Sequence, residues 1–237
     1  MRNHPLFLKK DTCLYSTMAH YSYTEQDMNV AKFFASKRVQ DAAHYAKRGN
    51  NPKKVYADVA NGALAEIAVH RALSATFPQA FVPQPDLAYK SVKKKSWEPD
   101  FMIRFGKEEQ NVSVKCHVKS FLTGRFGGNI KDSFMFQKGH GNHADRDISL
   151  ICKGGNVLDL FVPVINRVQD FESGVLDSVE TNAIADCCTV YGPYSMQDIV
   201  DKNLWKKPKK KSLHAYKRVL YLDDIWKNIP VVNNINV

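Results

Sequence analysis

Apolar and polar side chains alternate almost without fault between Asp100 and Lys119. Phe101, Ile103 and Phe105 are separated by Met102 and Arg104, the period of a half-buried strand. Gly106 to Asn111 is polar and glycine-initiated, and reads as a hairpin connection. Val112, Val114, Cys116 and Val118 then form one face of a second strand, and Ser113, Lys115, His117 and Lys119 the other. Antiparallel pairing puts Asp100 on the face of that polar row. One register sets it beside Ser113, and a longer turn sets it beside His117. Upstream, Tyr56 to Thr76 carries Val59, Ala63, Ile67 and Leu73 at helical spacings. Gly62 stands one turn before Glu66 on the same helix face. Glycine inside a helix costs about 1 kcal/mol against alanine, so close packing or approach of a phosphate is the expected reason for it.

The same reading extends along the chain. Thr24 to Lys47 predicts a helix, with Thr24 and Asp27 as a capping start. Arg48 to Lys54 ends it. Phe77 to Lys95 holds three prolines and predicts an irregular crossing. Gly124 to Asp132 predicts a loop over a groove, and Ser133 to Gln137 a short strand. Ile148 to Lys153 and Val157 to Ile165 predict two strands joined by a Gly154-Gly155-Asn156 turn. Beyond Asn166 the pattern weakens: Ser195 to Asn203 predicts a short helix, and Val219 to Trp226 a closing strand or helix. No internal repeat is visible. The expected organisation is a helical N-terminal segment (1–54), a core (55–166) and a basic C-terminal appendage packed on it (167–237).

Composition changes the picture in one direction. The chain has 237 residues, 44% of them hydrophobic, and a formal net charge of +10. That is ample for one sizeable α/β core, and the excess of positive charge favours a polyanionic partner, most often nucleic acid. Two basic clusters stand out. Lys93, Lys94 and Lys95 lie just before Pro99-Asp100. Lys206, Lys207, Lys209, Lys210 and Lys211 lie between Trp205 and Tyr216, an aromatic and basic mixture suited to backbone contacts and stacking. The second cluster also has the form of a solvated loop or a nuclear localisation signal. Five cysteines, an odd number with no CxxC pair, fit a reducing cytoplasm better than a disulfide framework. The first residues lack the continuous apolar stretch of a signal peptide, and no run is long enough to span a membrane. His140 and His143, three apart, could join Cys152 or Asp145 at a zinc, but fall short of the usual three or four ligands. Contact with DNA through His140, His143 or Arg146 is the favoured reading, with Gln137 and Lys138 facing the same groove.

The candidate chemistry lies in Glu66, Asp100 and the alternating lysines. Carboxylates hold a hard divalent cation, and a lysine steadies charge at an attacking water or a scissile phosphate. Each part also has an ordinary reading: Asp100 as a turn cap, Glu66 as a solvated helix residue, the lysines as the wet face of an edge strand. Their order, in a basic chain, favours the chemical reading.

These residues resemble the PD-(D/E)xK nuclease superfamily. Pro99-Asp100 matches its first acidic motif, Val112 to Lys115 stands where xExK is expected, and Glu66 in GxxxE resembles the helical glutamate that many members place before the hairpin. The likeness covers Val55 to Asn166. It departs at the second acid, which is replaced by Ser113, or by His117 if the motif is His117-Val118-Lys119. The resemblance implies an α/β, restriction-endonuclease-like mixed β-sheet core flanked by helices, and a Mg²⁺-dependent DNA endonuclease in which Mn²⁺ can substitute. Asp100 would bind metal directly, Glu66 directly or through water, and the Val114 carbonyl would add an oxygen. Lys115 would orient or activate the water, with Ser113, His117 and Lys119 lining the site and Lys119 the alternative lysine. DNA is the expected partner, with a homodimer possible and no membrane. The alternatives are a non-catalytic nucleic-acid-binding protein of the same fold and an RNA-processing factor.

Overall fold

Thr24 opens the first helix with a reciprocal cap. Its hydroxyl accepts the Asp27 amide proton at 3.1 Å, and the Asp27 carboxylate accepts the Thr24 amide proton at 2.9 Å. The computed structural model describes residues 17–40, 52–87, 100–120, 133–137, 159–168, 183–207 and 217–233. Strand β1 is Thr17–Ser22, and helix α1 is Glu25–Val39, closing at Gln40 well short of the expected Lys47. Asp27 also receives a two-pronged ion pair from Arg71, at 2.8 and 2.6 Å, which ties α1 to the next helix.

Helix α2, Pro52–Thr76, begins with a proline in its first turn, where the missing N–H costs nothing. Ala57, Ala60, Ala63, Ala65, Ala68 and Ala72 are buried along it. These small side chains let α2 lie close to α1 on one side and to the sheet on the other. Gly62 is not explained by packing, since a Cβ there would meet nothing within 4 Å.

The remaining elements are β2 (Phe101–Phe105), β3 (Glu108–Ser120), β4 (Ser133–Gln137), β5 (Leu160–Val168), β6 (Cys187–Tyr191), β7 (Tyr194–Ser195), α3 (Met196–Asp201), β8 (Lys217–Tyr221) and α4 (Leu222–Asn228). The main sheet is mixed, in the order β1-β6-β5-β3-β2, with β7 on β5. It therefore draws strands from all three of the expected segments. Strands β4 and β8 form a separate antiparallel ribbon. The expected closing element at Val219 to Trp226 is both things in succession, the end of β8 and then α4.

Two expectations about the strands are corrected. The β2–β3 connection is only Gly106-Lys107, because Phe105 pairs with Glu108. Gly106 has φ +59°, which glycine adopts at the first central position of a tight hairpin turn. Glu108 to Asn111 are thus strand residues, polar because the tip of the hairpin reaches into solvent. Strand β5, expected over Val157 to Ile165, runs Leu160–Val168, with β3 parallel along one edge and β6 and β7 on the other. Its unbroken apolar run reflects burial on both faces. Ile148 to Lys153, the expected partner, lies outside the described residues.

Each face of the sheet has its own core. On the first, Val112, Val114, Leu160, Val162 and Val164 pack with Phe101, Ile103 and Phe105 against Ala65, Ala68 and Leu73 of α2. On the second, Phe161 and Ile165 pack with Phe134 and Phe136 of β4, Leu220 of β8, and residues of α3 and α4. Phe161 meets Phe134 and Phe136 edge to face, at 5.6 and 5.1 Å between centroids. Among the described residues, no helix is long and apolar enough to cross a membrane.

Candidate active site

The site is built at the end of β2, where the sheet opens. Phe101 pairs with Val112, so one step outward Asp100 stands opposite Ser113. This settles the register in favour of Ser113 over His117. The Asp100 carboxylate accepts the Val114 amide proton at 2.7 Å. In an extended strand the N–H and C=O of one residue point to the same side. The Val114 carbonyl therefore leaves β3 on the Asp100 side, at a level where β2 has not begun.

Glu66 enters from α2, which covers the Val112–Val114–Cys116 face of β3. It is half-buried, yet its carboxyl holds its proton up to about 8. Burial is the largest cause, followed by the negative charge of Asp100; Lys115 and Arg38 pull in the other direction, and Asp86 adds to the rise. Two carboxyl groups close enough to perturb each other, beside two cations, form a local charge cluster within an otherwise apolar sheet-and-helix layer.

Lys115 leaves β3 on the opposite face from α2. Its ammonium lies 5.5 Å from the centre of the Phe136 ring, a cation–π contact. Phe136 is braced in turn by Trp205 at 5.2 Å. Ser113 shares this face. It pairs with Phe161 across to β5 and is only 2% exposed. The position where the resemblance expects a second acid is therefore turned into the second apolar core, where an unpaired carboxylate would be costly.

Cys116 feels the charge of Glu66. Burial, then the Glu66 charge, push its thiol up to about 12. Cys187 and Cys188 are likewise free and buried, at about 12 and about 11.

The structure thus brings together Glu66, Asp100, Val114 and Lys115, with Ser113 behind them. Lys206 is exposed and pairs with Val219 through two backbone bonds of 2.9 Å; Lys207 is exposed beside it. Gln137 ends β4 opposite Lys217. The side chains of His117, Lys119 and Gln137 lie outside the described residues, as do Lys93, Lys94, Lys95, Lys138, His140, His143, Arg146, Lys209, Lys210 and Lys211.

No family model, no curated protein and no solved structure matches this chain.

Among the described residues, no three or more His, Cys, Asp or Glu side chains are grouped so as to hold a metal ion. Asp100 and Glu66 supply two interacting carboxyl groups, and the Val114 main-chain oxygen lies on the Asp100 edge of β3. That donor set suits Mg²⁺, which keeps several waters and uses one or two carboxylates, better than a closed protein cage.

Arg38 and Asp86 were not legible as site residues. Arg38 lies at the end of α1, stacked on Phe34 at 5.5 Å, and only the α1–α2 packing brings its charge to Glu66. A polar network beneath the site was also missed. Asn166 is fully buried; its amide donates to the Asn61 carbonyl at 2.9 Å, and its side-chain oxygen accepts the Tyr23 hydroxyl at 2.7 Å. Asn61 in turn bonds Ala183 and Ala185. Asn61 beside Gly62, in a run of alanines, was the available signal.

Proposed function

We propose that this chain is a divalent-metal-dependent phosphodiesterase acting on nucleic acid, with a restriction-endonuclease-like core and DNA as its substrate. One observation carries the reading: Asp100 and Glu66, from a strand mouth and a helix, converge strongly enough for the Asp100 charge to help hold Glu66 protonated to about 8. Like-charged carboxyl groups placed together are a costly arrangement that a divalent cation relieves.

In this reading Asp100 and Glu66 hold the metal, with the Val114 carbonyl as a further oxygen ligand. Bound Mg²⁺ or Mn²⁺ supplies a lowered water pKa and neutralises charge gathering on the phosphate. The bond to the Val114 amide fixes the direction of Asp100. Lys115 supplies the positive charge for the attacking water or the scissile phosphate, with Phe136 as its resting place. Ser113 takes no part in holding metal. The net charge of +10 supports a phosphate backbone as partner, and the free thiols are compatible with a cytoplasmic protein.

The second reading is a nucleic-acid-binding protein without catalysis. It is favoured by the absence of a third acidic ligand among the described residues. Incubating purified protein with supercoiled, linear, branched and single-stranded DNA in Mg²⁺, Mn²⁺ or EDTA separates the two. Metal-dependent cleavage supports the first, and metal-independent binding without cleavage supports the second.

A further inference from the structure

Apolar side chains that face solvent are few among the described residues, and two of them lie on or beside β2, the strand that follows Asp100. Phe81 is 61% exposed and Met102 is 41% exposed. Phe81 is bridged to Arg104 by two backbone bonds, 2.8 Å and 2.9 Å, which sets the two side chains abreast on one face. The guanidinium stands 5.9 Å from the centre of the ring and also reaches Glu109 at 3.3 Å. Met102 and Arg104 alternate with the buried Phe101, Ile103 and Phe105, so both point away from the first core. They share their face with Ser113 and Lys115 across the hairpin, but among the described residues the second core does not extend over them. The result is an open ledge, Phe81–Arg104–Met102, ending at Asp100. Four residues of strand span about 13 Å.

We propose that this ledge stacks an unpaired nucleobase of the strand whose phosphate lies at Asp100. The chain would then act on single-stranded, frayed or flap-bearing nucleic acid in preference to fully paired duplex. The aromatic face and the methionine give a base an apolar surface, and Arg104 adds a cation beside it. A paired base has its faces covered by its neighbours and cannot use such a surface. The net charge of +10 favours a polyanion over a second copy of this basic chain as the occupant. The proposal rests on the phosphodiesterase reading for its choice of ligand, but its test reads binding alone.

The test uses the full chain in EDTA, so that cleavage plays no part. A fluorescent single-stranded oligonucleotide and its fully paired duplex are each titrated by anisotropy against wild type, Phe81→Ala, Met102→Ala and Phe81→Trp. Phe81→Ala should weaken single-strand binding by about five- to 150-fold, the range for removing one stacked base. Met102→Ala should weaken it less, Phe81→Trp should retain or tighten it, and duplex binding should not change. Phe81 is exposed, so these variants keep the fold; a thermal melt checks this. Equal weakening on single strand and duplex, or none on either, would overturn the proposal. So would sedimentation showing that Phe81→Ala only dissociates a dimer. Weakened single-strand binding in a chain that never cleaves would uphold the ledge and sink the catalytic reading; cleavage with unweakened binding would do the reverse.

Discussion

The Asp100 carboxylate is tied to the Val114 amide at 2.7 Å, so the strand that carries Lys115 also aims the acid. A strand mouth would otherwise let the Asp100 side chain rotate. The bond fixes one of its carboxylate oxygens, and the Asp100 charge opposes ionisation of Glu66 in the middle of α2. From that pairing come a pH dependence, a division of labour among the lysines and a direct test of catalysis.

Glu66 releases its proton near 4.5 in the unfolded chain and at about 8 in the folded one. Between those values the folded state binds one more proton, so this group's contribution to stability is lost as pH rises through the interval. In EDTA, wild type should therefore lose more melting temperature than Glu66→Gln as pH rises from about 5 to about 8.5. Mg²⁺ or Mn²⁺ should restore more of it at the alkaline end, because proton and metal compete for the same carboxylate. Parallel pH profiles for wild type and Glu66→Gln, with no metal effect on either, would remove Glu66 from the site.

Lys115→Ala should lower the cleavage rate by about 10²-fold while changing DNA affinity little. Phe136→Leu removes the ring under the ammonium but leaves the charge, and should cost much less. Single-turnover kinetics with saturating protein separate rate from binding. If Lys119→Ala proves the more damaging to rate, the catalytic lysine is the later one.

Asn166→Leu strips the Tyr23 hydroxyl and the Asn61 carbonyl of their partner at once. The hydroxyl loses its acceptor while the carbonyl keeps its helical bond, so the change should cost about 1–3 kcal/mol in urea unfolding. A change below about 0.5 kcal/mol, the usual scatter of inert surface substitutions, would mean that the network is not a stabilising joint.

Replacing Lys206, Lys207, Lys209, Lys210 and Lys211 with glutamine should flatten the salt dependence of DNA affinity. The expected change is about 0.9 in log–log slope for each duplex phosphate that the variant no longer neutralises. The rate of cleavage of DNA already bound should not change. An unaltered slope in an anisotropy titration would leave the cluster as a solvated loop or a localisation signal.

Much of the frame was legible because it rests on local periodicity. The alternation of Phe101, Ile103 and Phe105, and of Val112, Val114 and Cys116, gives the hairpin and the face of each side chain, and Thr24 with Asp27 gives the start of α1. The hairpin turn reads as longer than it is because Glu108 to Asn111 are polar where the strand tip meets solvent. Strand β5 is legible but its neighbour is not, since an apolar run records burial and not which strand provides it. Strands β1 and β7 leave no signal: Thr17–Ser22 pairs with Cys187–Tyr191, far away along the chain, and Tyr194–Ser195 is only a residue pair. In the site, Asp100 and Lys115 follow from alternation. The charges of Arg38 and Asp86 reach Glu66 only through tertiary packing, which no spacing records. Ser113 reads as lining the site because alternation gives a face but not what covers it; it stands beside Phe161 on the face that carries the second core.

The proposed phosphodiesterase depends on a catalytic divalent metal held by Asp100 and Glu66. Cleavage of supercoiled and single-stranded DNA by wild type and Asp100→Asn, each in Mg²⁺, Mn²⁺ and EDTA, tests it most directly. Asparagine keeps an oxygen able to accept the Val114 amide proton, so the fold and most of the DNA affinity should survive. Wild type should cleave only with metal, and Asp100→Asn should not cleave. Cleavage by Asp100→Asn at the wild-type rate, or wild-type cleavage undiminished in EDTA, would contradict the proposal.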